Sequence, residues 1–493
     1  MSKFISDISN VGWRFDNSYI SLPNILMTKI NPVKVKAPQV VILNHDLAKD
    51  LNLDFNYINE DKLASFFSGN ELPKGAECIA QAYAGHQFGY FTMLGDGRSI
   101  LLGEHINSKN IRFDIQFKGS GKTPYSRNGD GKSALGPMLR EYLISEAMYG
   151  LAIPTTRSLA VVTTGEEVMR ERNLQGAILT RVASSHIRVG TFQYLTMKGD
   201  ITTLKKLVNY TINRHYSNVT KKENPAITLL EGLIEKQISL IVNWMRVGFI
   251  HGVMNTDNVA LSGETIDYGP CAFMDFYNPK TVFSSIDHQG RYSFANQEII
   301  CHWNVSRFAE TLIPLLADNE NKAIKIGSKI INKFSDKFKY KWISMMKNKL
   351  GFIGNFPKDE IFIKKILSWM EENKADYTNT FIFLMNPSFS EEDIYKNKSF
   401  IDLYEEWKIR INKNKVSKKT HLNIMKINNP LLIPRNHIVE ESLINVCENN
   451  DYNNFNELVN IVKKPYANNE IKQYYQSLPD SNFLNSYKTF CGT

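Results

Sequence analysis

The chain has 493 residues, 43% of them hydrophobic and 22% charged, a length and composition that exclude disordered scaffolds and collagen-like proteins. Its 59 basic and 50 acidic residues give a net charge of +9, which would suit nucleic acid or an acidic small molecule as a partner. No apolar run reaches the roughly 20 residues of a membrane-spanning helix, and the first residues lack a secretory pattern, so we expect a cytoplasmic protein.

A glycine turn is predicted at residues 94–98, with the sequence LGDGR, between two β-like stretches. Small residues there would let the backbone and Arg98 approach an anion closely, although a plain hairpin turn is the simpler interpretation of this motif alone. A dinucleotide-binding GxGxxG motif is disfavoured, because its last position is Ile100 and no helical pattern follows.

Residues 111–118 alternate between apolar and polar side chains, which predicts a half-buried β-strand ending at Lys118. The next residues, 119–124, contain two glycines and a proline and predict a turn. The Gly-Lys-Thr at 121–123 is similar to part of a phosphate-binding P-loop. The glycine that this loop needs five positions earlier is Gln116, so a P-loop is disfavoured.

A helix is predicted to follow, with Ser133 as its N-cap and its end near Gly150. Arg140 and Glu141 are expected to point away from the centre of its apolar stripe. The stripe is formed by Met138, Leu139, Tyr142 and Leu143.

The order of the elements along the chain is that of a protein kinase: a glycine turn, a strand ending in Lys118, a helix with Glu141, a buried helix at about 228–247, and polar loops at 251–258 and 267–270. The 23 residues from Lys118 to Glu141 suffice for one loop and a helix that return the carboxylate to the lysine. Such an ion pair would hold the ammonium group on nucleotide phosphates.

Asn258 and Asp267 carry the hard oxygen donors that Mg²⁺ prefers, although both residue types are also common in turns. At the position of the kinase catalytic base this chain has Val253, which cannot accept a proton. The only carboxylate in the loop is Asp257. The loop therefore argues against ordinary phosphorylation of hydroxyl groups.

Seven motifs in the chain are specific enough to be compared with those of known protein families. They are AQAYAGHQFG at 80–89, LGDGR at 94–98, KGSG at 118–121, TPYSR at 123–127, GDG at 129–131, HGVMNTDN at 251–258 and DHQGRY at 287–292. Together they resemble the selenoprotein O (SelO/YdiU) family, the pseudokinase-like protein adenylyltransferases. The resemblance is close from about residue 75 to 300 and looser beyond, where the pairs at 429–430 and 435–436 again match.

The resemblance implies an α+β, bilobal, protein-kinase-like fold. Its expected divisions are an N-terminal region with the N-lobe at 1–190, a C-lobe with the catalytic and metal-binding loops at 191–330, and a helical C-terminal extension at 331–493. It also implies ATP bound in a flipped orientation, with Mg²⁺ or, as a substitute, Mn²⁺. AMP would then be transferred to Ser, Thr or Tyr hydroxyls of proteins, the enzyme itself among them, with release of pyrophosphate. We expect a monomer without nucleic-acid or membrane partners.

Carried over motif by motif, the resemblance implies that Asp257 is the proton acceptor, that Asn258 and Asp267 bind the metal, and that Glu141 pairs with Lys118. The residues implied to bind ATP are Gly95, Gly97, Arg98, Lys118, Asp130, Gly131, Arg181, Arg188 and Asp267. Without the family, Arg181 would equally suit a structural ion pair.

The five cysteines form no CxxC pair, which indicates a reducing compartment. Members of the family often carry a Cys near the C-terminus, which Cys491 matches as a redox candidate, and many bacterial members resemble a scheme in which it pairs with a Cys after the metal-binding Asp. Phe283 stands at the aligned position, and Cys271 is the nearest alternative. A regulatory disulfide is thus left open.

His86 and His288 have no HxxxH or Cys partner at ligand spacing and are expected to be structural.

From about residue 300 the sequence predicts long helices with Asn- and Lys-rich connectors. Lysines of this part are expected on a solvated helical face: Lys333, Lys337, Lys339, Lys341, Lys347 and Lys349. They lack interleaved aromatic residues, which weakens the case for nucleic acid. The alternatives to adenylyl transfer are γ-phosphoryl transfer by an ordinary kinase, a silent nucleotide-binding scaffold, and nucleic-acid binding with a steep salt dependence.

Overall fold

A computed structural model describes residues 7–218, 222–389, 392–414, 416–467 and 473–490. They form a mixed α/β structure built on one large sheet. The strands are β1 (Met27–Lys29), β2 (Gln39–Leu43), β3 (Ile79–Gln81), β4 (Ala84–Gln87), β5 (Tyr90–Met93), β6 (Ser99–Ile106), β7 (Arg112–Lys118), β8 (Ser133–Ala134), β9 (Arg157–Met169), β10 (Asn173–Ala183), β11 (Phe249–Ile250) and β12 (Ala272–Phe273).

The large sheet is antiparallel and has the strand order β1-β3-β6-β7-β10-β9-β2, with the short β8 paired to β10. The central strand β7 pairs Lys118 with Ser99 of β6 on one side and with Leu179 of β10 on the other. Gln116 pairs with Arg181 of β10. Two further pairs, β4–β5 and β11–β12, form separate two-stranded sheets.

The helices surround this sheet and form the regular structure that follows β12. They are α1 (His45–Asp50), α2 (Glu60–Phe67), α3 (Leu135–Gly150), α4 (Val189–Lys198), α5 (Ile201–His215), α6 (Pro225–Arg246), α7 (Asn296–Leu316), α8 (Glu320–Ile331), α9 (Phe334–Lys349), α10 (Asp359–Glu372), α11 (Tyr377–Met385), α12 (Lys398–Asn412), α13 (Lys418–Asn428), α14 (Asn436–Asn449), α15 (Asn453–Val462) and α16 (Ser481–Ser486). In the described part of the chain, no helix is both long and apolar enough to cross a membrane.

The predicted strand at 111–118 is confirmed with one residue less, but it is not half-buried. Its apolar face carries Ile115 and Phe117, and Phe117 lies with its ring 6.0 Å from that of Phe66 in α2. Its polar face is buried as well, because Asp114 and Gln116 lie under other elements of the fold. Polar side chains at such depth must find partners, and this need organises the site around the end of β7.

The helix predicted with Ser133 as its N-cap begins one residue later than expected, at Leu135, and the expected cap is wrong. Ser133 belongs to β8, where it pairs with Ala177 of β10, and the N-cap position is Ala134, which has no side-chain acceptor. Arg140 and Glu141, predicted to point away from the centre of the apolar stripe, are both buried. The reason is that α3 packs against β9 and β10 on one side and against α14 and α15 on the other.

The solvated lysine face is confirmed only in part. Lys333 and Lys339 are exposed, but Lys349 is 2% exposed. Its ammonium group donates to the backbone oxygen of Arg246 at 2.8 Å and lies 4.0 Å from the ring centroid of Phe381. Lys349 is the last residue of α9. Arg246 is the last residue of α6, so the ammonium group of Lys349 binds a carbonyl at the C-terminal end of that helix, where a cation is favoured.

Candidate active site

A cavity of about 1400 Å³ lies where β7, α3 and the loops around residues 95, 130, 257 and 267 meet. Every predicted nucleotide-site and metal-site residue lines it. A cavity of this size with converging charged groups is the usual form of a small-molecule site.

The glycine turn at 94–98 forms one rim of the cavity. It is not a hairpin, because β5 before it pairs with β4 whereas β6 after it belongs to the large sheet. Gly95 has φ +130°, and a Cβ there would lie 2.4 Å from the ring of Tyr125. The turn thus needs glycine both for its backbone conformation and for its close contact with residues 125–126.

Lys118 and Glu141 form a buried ion pair, with 2.6 Å between Nζ and Oε2. The lysine is supplied by the last position of β7, and the glutamate by the second turn of α3. The other oxygen of Glu141 accepts hydrogen bonds from Nε and Nη2 of Arg181 at 2.8 and 2.5 Å. Burial raises the pKa of Glu141, but Arg181 and Lys118 outweigh it and hold the pKa below its ordinary value. The carboxylate is therefore ionised and fixes two cations.

Asp267 is the common partner of three cations. Its Oδ1 accepts from Lys118 at 3.0 Å and from Arg181 at 2.6 Å, and its Oδ2 lies 3.4 Å from Nη1 of Arg188. Although burial opposes the charged form, Arg181, Lys118 and Arg188 hold the pKa of Asp267 well below its usual range. The backbone at Asp267 is left-handed, with φ +65°, a strained conformation that structures retain chiefly at functional sites.

Arg188 is fixed from several sides. Its guanidinium carbon lies 4.4 Å from the ring centroid of Tyr83, its Nη1 donates to the backbone oxygen of Asp257 at 3.1 Å, and its Nη2 lies 3.8 Å from an oxygen of Asp96. Sequence reasoning assigned no role to Tyr83 or Asp96. Their only signal was position, since Tyr83 lies in the motif at 80–89 and Asp96 lies between two glycines of the predicted turn.

Asp257 lies in the short 3₁₀ helix Thr256–Asn258, beside these cations. Its carboxylate is buried, and its Oδ1 has no hydrogen-bond partner among the described residues. Burial raises the pKa of Asp257 to about 6, against the lowering effect of Arg188. Gly85 of β4 backs the carboxylate so closely that a Cβ there would lie 2.5 Å from Oδ1. A carboxylate with a raised pKa that lines a cavity has the properties of a general base.

Asn258 follows Asp257 and lines the same cavity. Its Nδ2 donates to the backbone oxygen of Val253 at 3.0 Å, so Oδ1 is the atom of this side chain that remains for a ligand. An amide oxygen and the ionised carboxylate of Asp267 are donors that suit a hard divalent cation. The described residues contain no cluster of three or more His, Cys, Asp or Glu arranged for a metal, so other ligands would have to come from the nucleotide and water.

Asp130 and Gly131 form the far rim. Gly131 has φ +70°, and a Cβ there would lie 2.1 Å from the backbone oxygen of Gly121. Asp130 is half-exposed and pairs with Arg170 at 2.9 Å, which lowers the pKa of its carboxyl group. Arg98 also lines the cavity.

The two histidines of the motifs lie away from these groups. The Nδ1 of His86 is 2.8 Å from the amide nitrogen of Gln193, and its ring packs edge-on against Trp303. His288 is exposed. The contacts of His86 fit the structural interpretation.

The redox prediction cannot be followed to Cys491, which lies outside the described residues. The alternative partner Cys271 is fully buried, and burial raises the pKa of its thiol to about 12. Phe283 packs against Tyr487 with 5.8 Å between ring centroids, and Thr489 pairs with the neighbouring Ser284. The last described residues are thus held beside the cavity by an aromatic contact and backbone bonds.

The family model for "Protein adenylyltransferase SelO" matches residues 10–463. The chain belongs to the SelO family. Three relatives are each named "Protein nucleotidyltransferase YdiU". The one from Pelagibacter ubique is 56% identical over 98% of this chain and 100% of the relative, that from Clostridium beijerinckii is 54% identical over 98% and 99%, and that from Nitrosococcus oceani is 53% identical over 98% and 98%.

Membership of the SelO family confirms the resemblance that the motifs indicated and decides between the enzyme classes considered from the sequence. The protein is an adenylyltransferase that acts on proteins, within the wider class of nucleotidyltransferases. A nucleotide is therefore its substrate, and the interpretations as an ordinary kinase or as a nucleic-acid-binding protein are set aside.

Proposed function

We propose that the protein transfers AMP from ATP to Ser, Thr or Tyr hydroxyls of proteins and releases pyrophosphate, with ATP held so that its α-phosphorus faces Asp257. The observation that carries this proposal is the convergence of Lys118, Arg181 and Arg188 on one carboxylate, that of Asp267, next to the general-base candidate. These cations lie deep in the cavity, where the terminal phosphates of an inverted nucleotide would be.

The charges support a triphosphate as ligand. Lys118, Arg181 and Arg188, with Arg98 at the rim, supply four positive charges against the two ionised carboxylates of Glu141 and Asp267. Glu141 also orients two of the deep cations. Arginine forks match phosphate oxygens in geometry and stay charged at any physiological pH. Cations bound to the β- and γ-phosphates would stabilise the pyrophosphate leaving group.

Asp257 would act as the proton acceptor for the incoming hydroxyl. Its raised pKa suits this role, and because Oδ1 lies against Gly85, the rest of the carboxylate is left to line the cavity. Val253 lies at the position where a kinase would have its base, so Asp257 is the acid group that the loop offers for this chemistry.

Asn258 and Asp267 would hold Mg²⁺, with Mn²⁺ as a substitute, together with phosphate oxygens. The bound cation would neutralise part of the charge that develops on the phosphates. Gly95, Gly97, Asp130 and Gly131 would form the loops around the rest of the nucleotide, since larger residues would not fit at three of these positions.

We further propose that the fold is a bilobal kinase-like fold divided as the sequence suggested, with the N-lobe within 1–190, the C-lobe at 191–330 and a helical extension at 331–493. The five-stranded run β3-β6-β7-β10-β9 with α3 across it, and the helical region after β12, support this division. A monomer in the cytoplasm, free of nucleic acid and membranes, is the state in which we propose that it works.

The test is incubation of the purified protein with Mg²⁺ and ATP labelled in either the α- or the γ-phosphate. The proposal predicts label on protein from the α-position alone, with a mass increase of one AMP on a Ser, Thr or Tyr. Label from the γ-position alone would refute the inverted orientation, and binding without any transfer would indicate a silent scaffold.

A further inference from the structure

The β4–β5 hairpin stands at the mouth of the cavity and carries an exposed strand edge. Backbone donors of β4 and its turn bind the catalytic loop, since the amide of His86 donates to Thr256 at 2.7 Å and that of Phe88 to Asn255 at 3.1 Å. The outer edge of β5 pairs with no other strand in the described part of the chain. The hairpin is thus fixed to the active-site loop on one side and open on the other.

The register shows which groups this open edge offers. Gln87 pairs with Tyr90 next to the turn, and at the other end the amide of Leu94 donates to the backbone oxygen of Tyr83. Between these two pairs, hydrogen-bonded and non-hydrogen-bonded pairs of residues alternate along the hairpin. Phe91 and Met93 fall at the non-hydrogen-bonded positions. Their backbone N–H and C=O groups therefore point outward, ready to bind another extended chain.

The surface of the hairpin fits the same purpose. Tyr90 is 80% exposed, and its neighbours Phe91 and Met93 are also exposed, so three large apolar side chains lie on a hairpin whose Gln87 lines the charged cavity. Cross-strand partners share one face, so Tyr90 and Thr92 lie on the face of Gln87 and Gly85, which is the face directed at Asp257.

A cation without a carboxylate partner lies at the hairpin turn. The Nη2 of Arg291 is 3.9 Å from where a Cβ of Gly89 would be, and its guanidinium lies 4.9 Å from the ring centroid of Trp303. Arg291 makes no ion pair with any described residue, and its Nε is buried without a hydrogen-bond partner. By contrast, Arg307, which packs on the same ring, is paired with Glu310.

We propose that the acceptor protein docks here as an extended, acidic segment that adds a strand to the edge of β5. This inference rests on the proposed function and names how its substrate is held. Backbone hydrogen bonds to Phe91 and Met93 would contribute affinity that does not depend on the sequence of the acceptor segment. Arg291 would select an acidic side chain near the turn. The target hydroxyl would follow the paired stretch.

The spacing of strands sets where the hydroxyl lies. An added strand is two spacings of about 4.8 Å from β4, or about 10 Å from the backbone of Gly85 that backs Asp257. An extended chain covers this distance in about three residues. The acceptor residue should therefore lie about three positions beyond the end of the paired stretch.

The experiment uses an array of synthetic dodecapeptides, each with one central Ser, Thr or Tyr, and α-labelled ATP. Phe91→Pro removes an outward N–H but none of the hairpin's own hydrogen bonds, whereas Phe91→Ala removes the ring and keeps the N–H. We expect Phe91→Pro to label the preferred peptides at least fivefold less than Phe91→Ala. Stabilisation of both variants by ATP in thermal unfolding should equal that of the wild type, which also verifies that they fold.

Two further measurements test the proposal, one with modified peptides on the wild-type enzyme and one with a matched pair of arginine variants. N-methylation of each peptide bond in a preferred peptide should block labelling at every second position of the paired stretch, because only alternate amides face β5. Arg291→Gln should lower labelling of peptides with Asp or Glu and spare neutral ones, while Arg307→Gln should do neither.

Equal labelling by the two Phe91 variants together with uniform tolerance of N-methylation would overturn the docking proposal. The docking proposal would also be overturned if the enzyme modified itself or other proteins but no peptide, because the proposal requires only an extended segment as acceptor. If the wild type labelled neither itself nor any protein or peptide, the proposed function itself would fail.

Discussion

The carboxylate of Asp257 is positioned from behind by Gly85, and this contact gives a sharp prediction. In Gly85→Ala the new Cβ would lie 2.5 Å from Oδ1, 2.9 Å from Cβ and 3.0 Å from Cγ of Asp257. A carbon and an oxygen need about 3.4 Å, so the carboxylate must move by about 1 Å. Because a misplacement of this size costs about a hundredfold in rate, we expect the turnover of adenylyl transfer to fall by that factor.

The assay is the initial rate of label transfer from α-labelled ATP, with the Km for ATP measured in parallel. The Km should change little, since Lys118, Arg181 and Arg188, which we propose bind the phosphates, are untouched. Gly327→Ala is the matched control: it makes the same substitution in α8, where a Cβ would meet only Leu316 at 3.4 Å, and should leave the rate unchanged. A Gly85→Ala rate within twofold of that control would refute the role of Asp257 or its position.

Three other outcomes are expected. Lys118→Ala and Asp267→Ala should each reduce transfer at least about a hundredfold while circular dichroism shows a folded protein, and unchanged activity in either would contradict the assignment. Burial, with Arg214 and Lys236 nearby, lowers the pKa of His215 to about 3. The folded state therefore keeps it neutral while the unfolded state binds a proton below pH 6.5, so the free energy of unfolding should fall by about 2 kcal/mol between pH 7 and 5 through this residue. Urea titrations of wild type and His215→Gln should differ by that amount, and parallel pH profiles would exclude it. After diamide treatment of the folded protein, peptide mass spectrometry should find Cys271 reduced, and a disulfide at Cys271 would contradict its burial.

Local patterns predicted the elements that carry the site. The alternation of β7 and the spacing to α3 predicted that Glu141 returns to Lys118, and the two groups lie 2.6 Å apart. The motifs also indicated which loops meet, because their residue types suit phosphate and metal chemistry. The pairing of Lys118 with Glu141 depends on a stretch of fewer than about 30 residues, which a local pattern can capture.

Contacts between distant segments could not be predicted in the same way. Arg181 reaches both Glu141 and Asp267 only because β10 pairs with β7 in a register that sets Arg181 opposite Gln116. The burial of Arg140 depends on α14, whose Glu440 pairs with it across 300 residues of sequence. Nothing in the periodicity of a single helix indicates which of its faces a later helix will cover.

The position of the last described residues beside the cavity affects the choice of affinity tag for purification. Thr489 pairs with Ser284, and Phe490 lines the cavity. An affinity tag fused shortly after Phe490 would start within a few residues of the cavity in which we propose that ATP binds. Rates obtained with such a fusion should be compared with those of tag-free protein before any variant is judged.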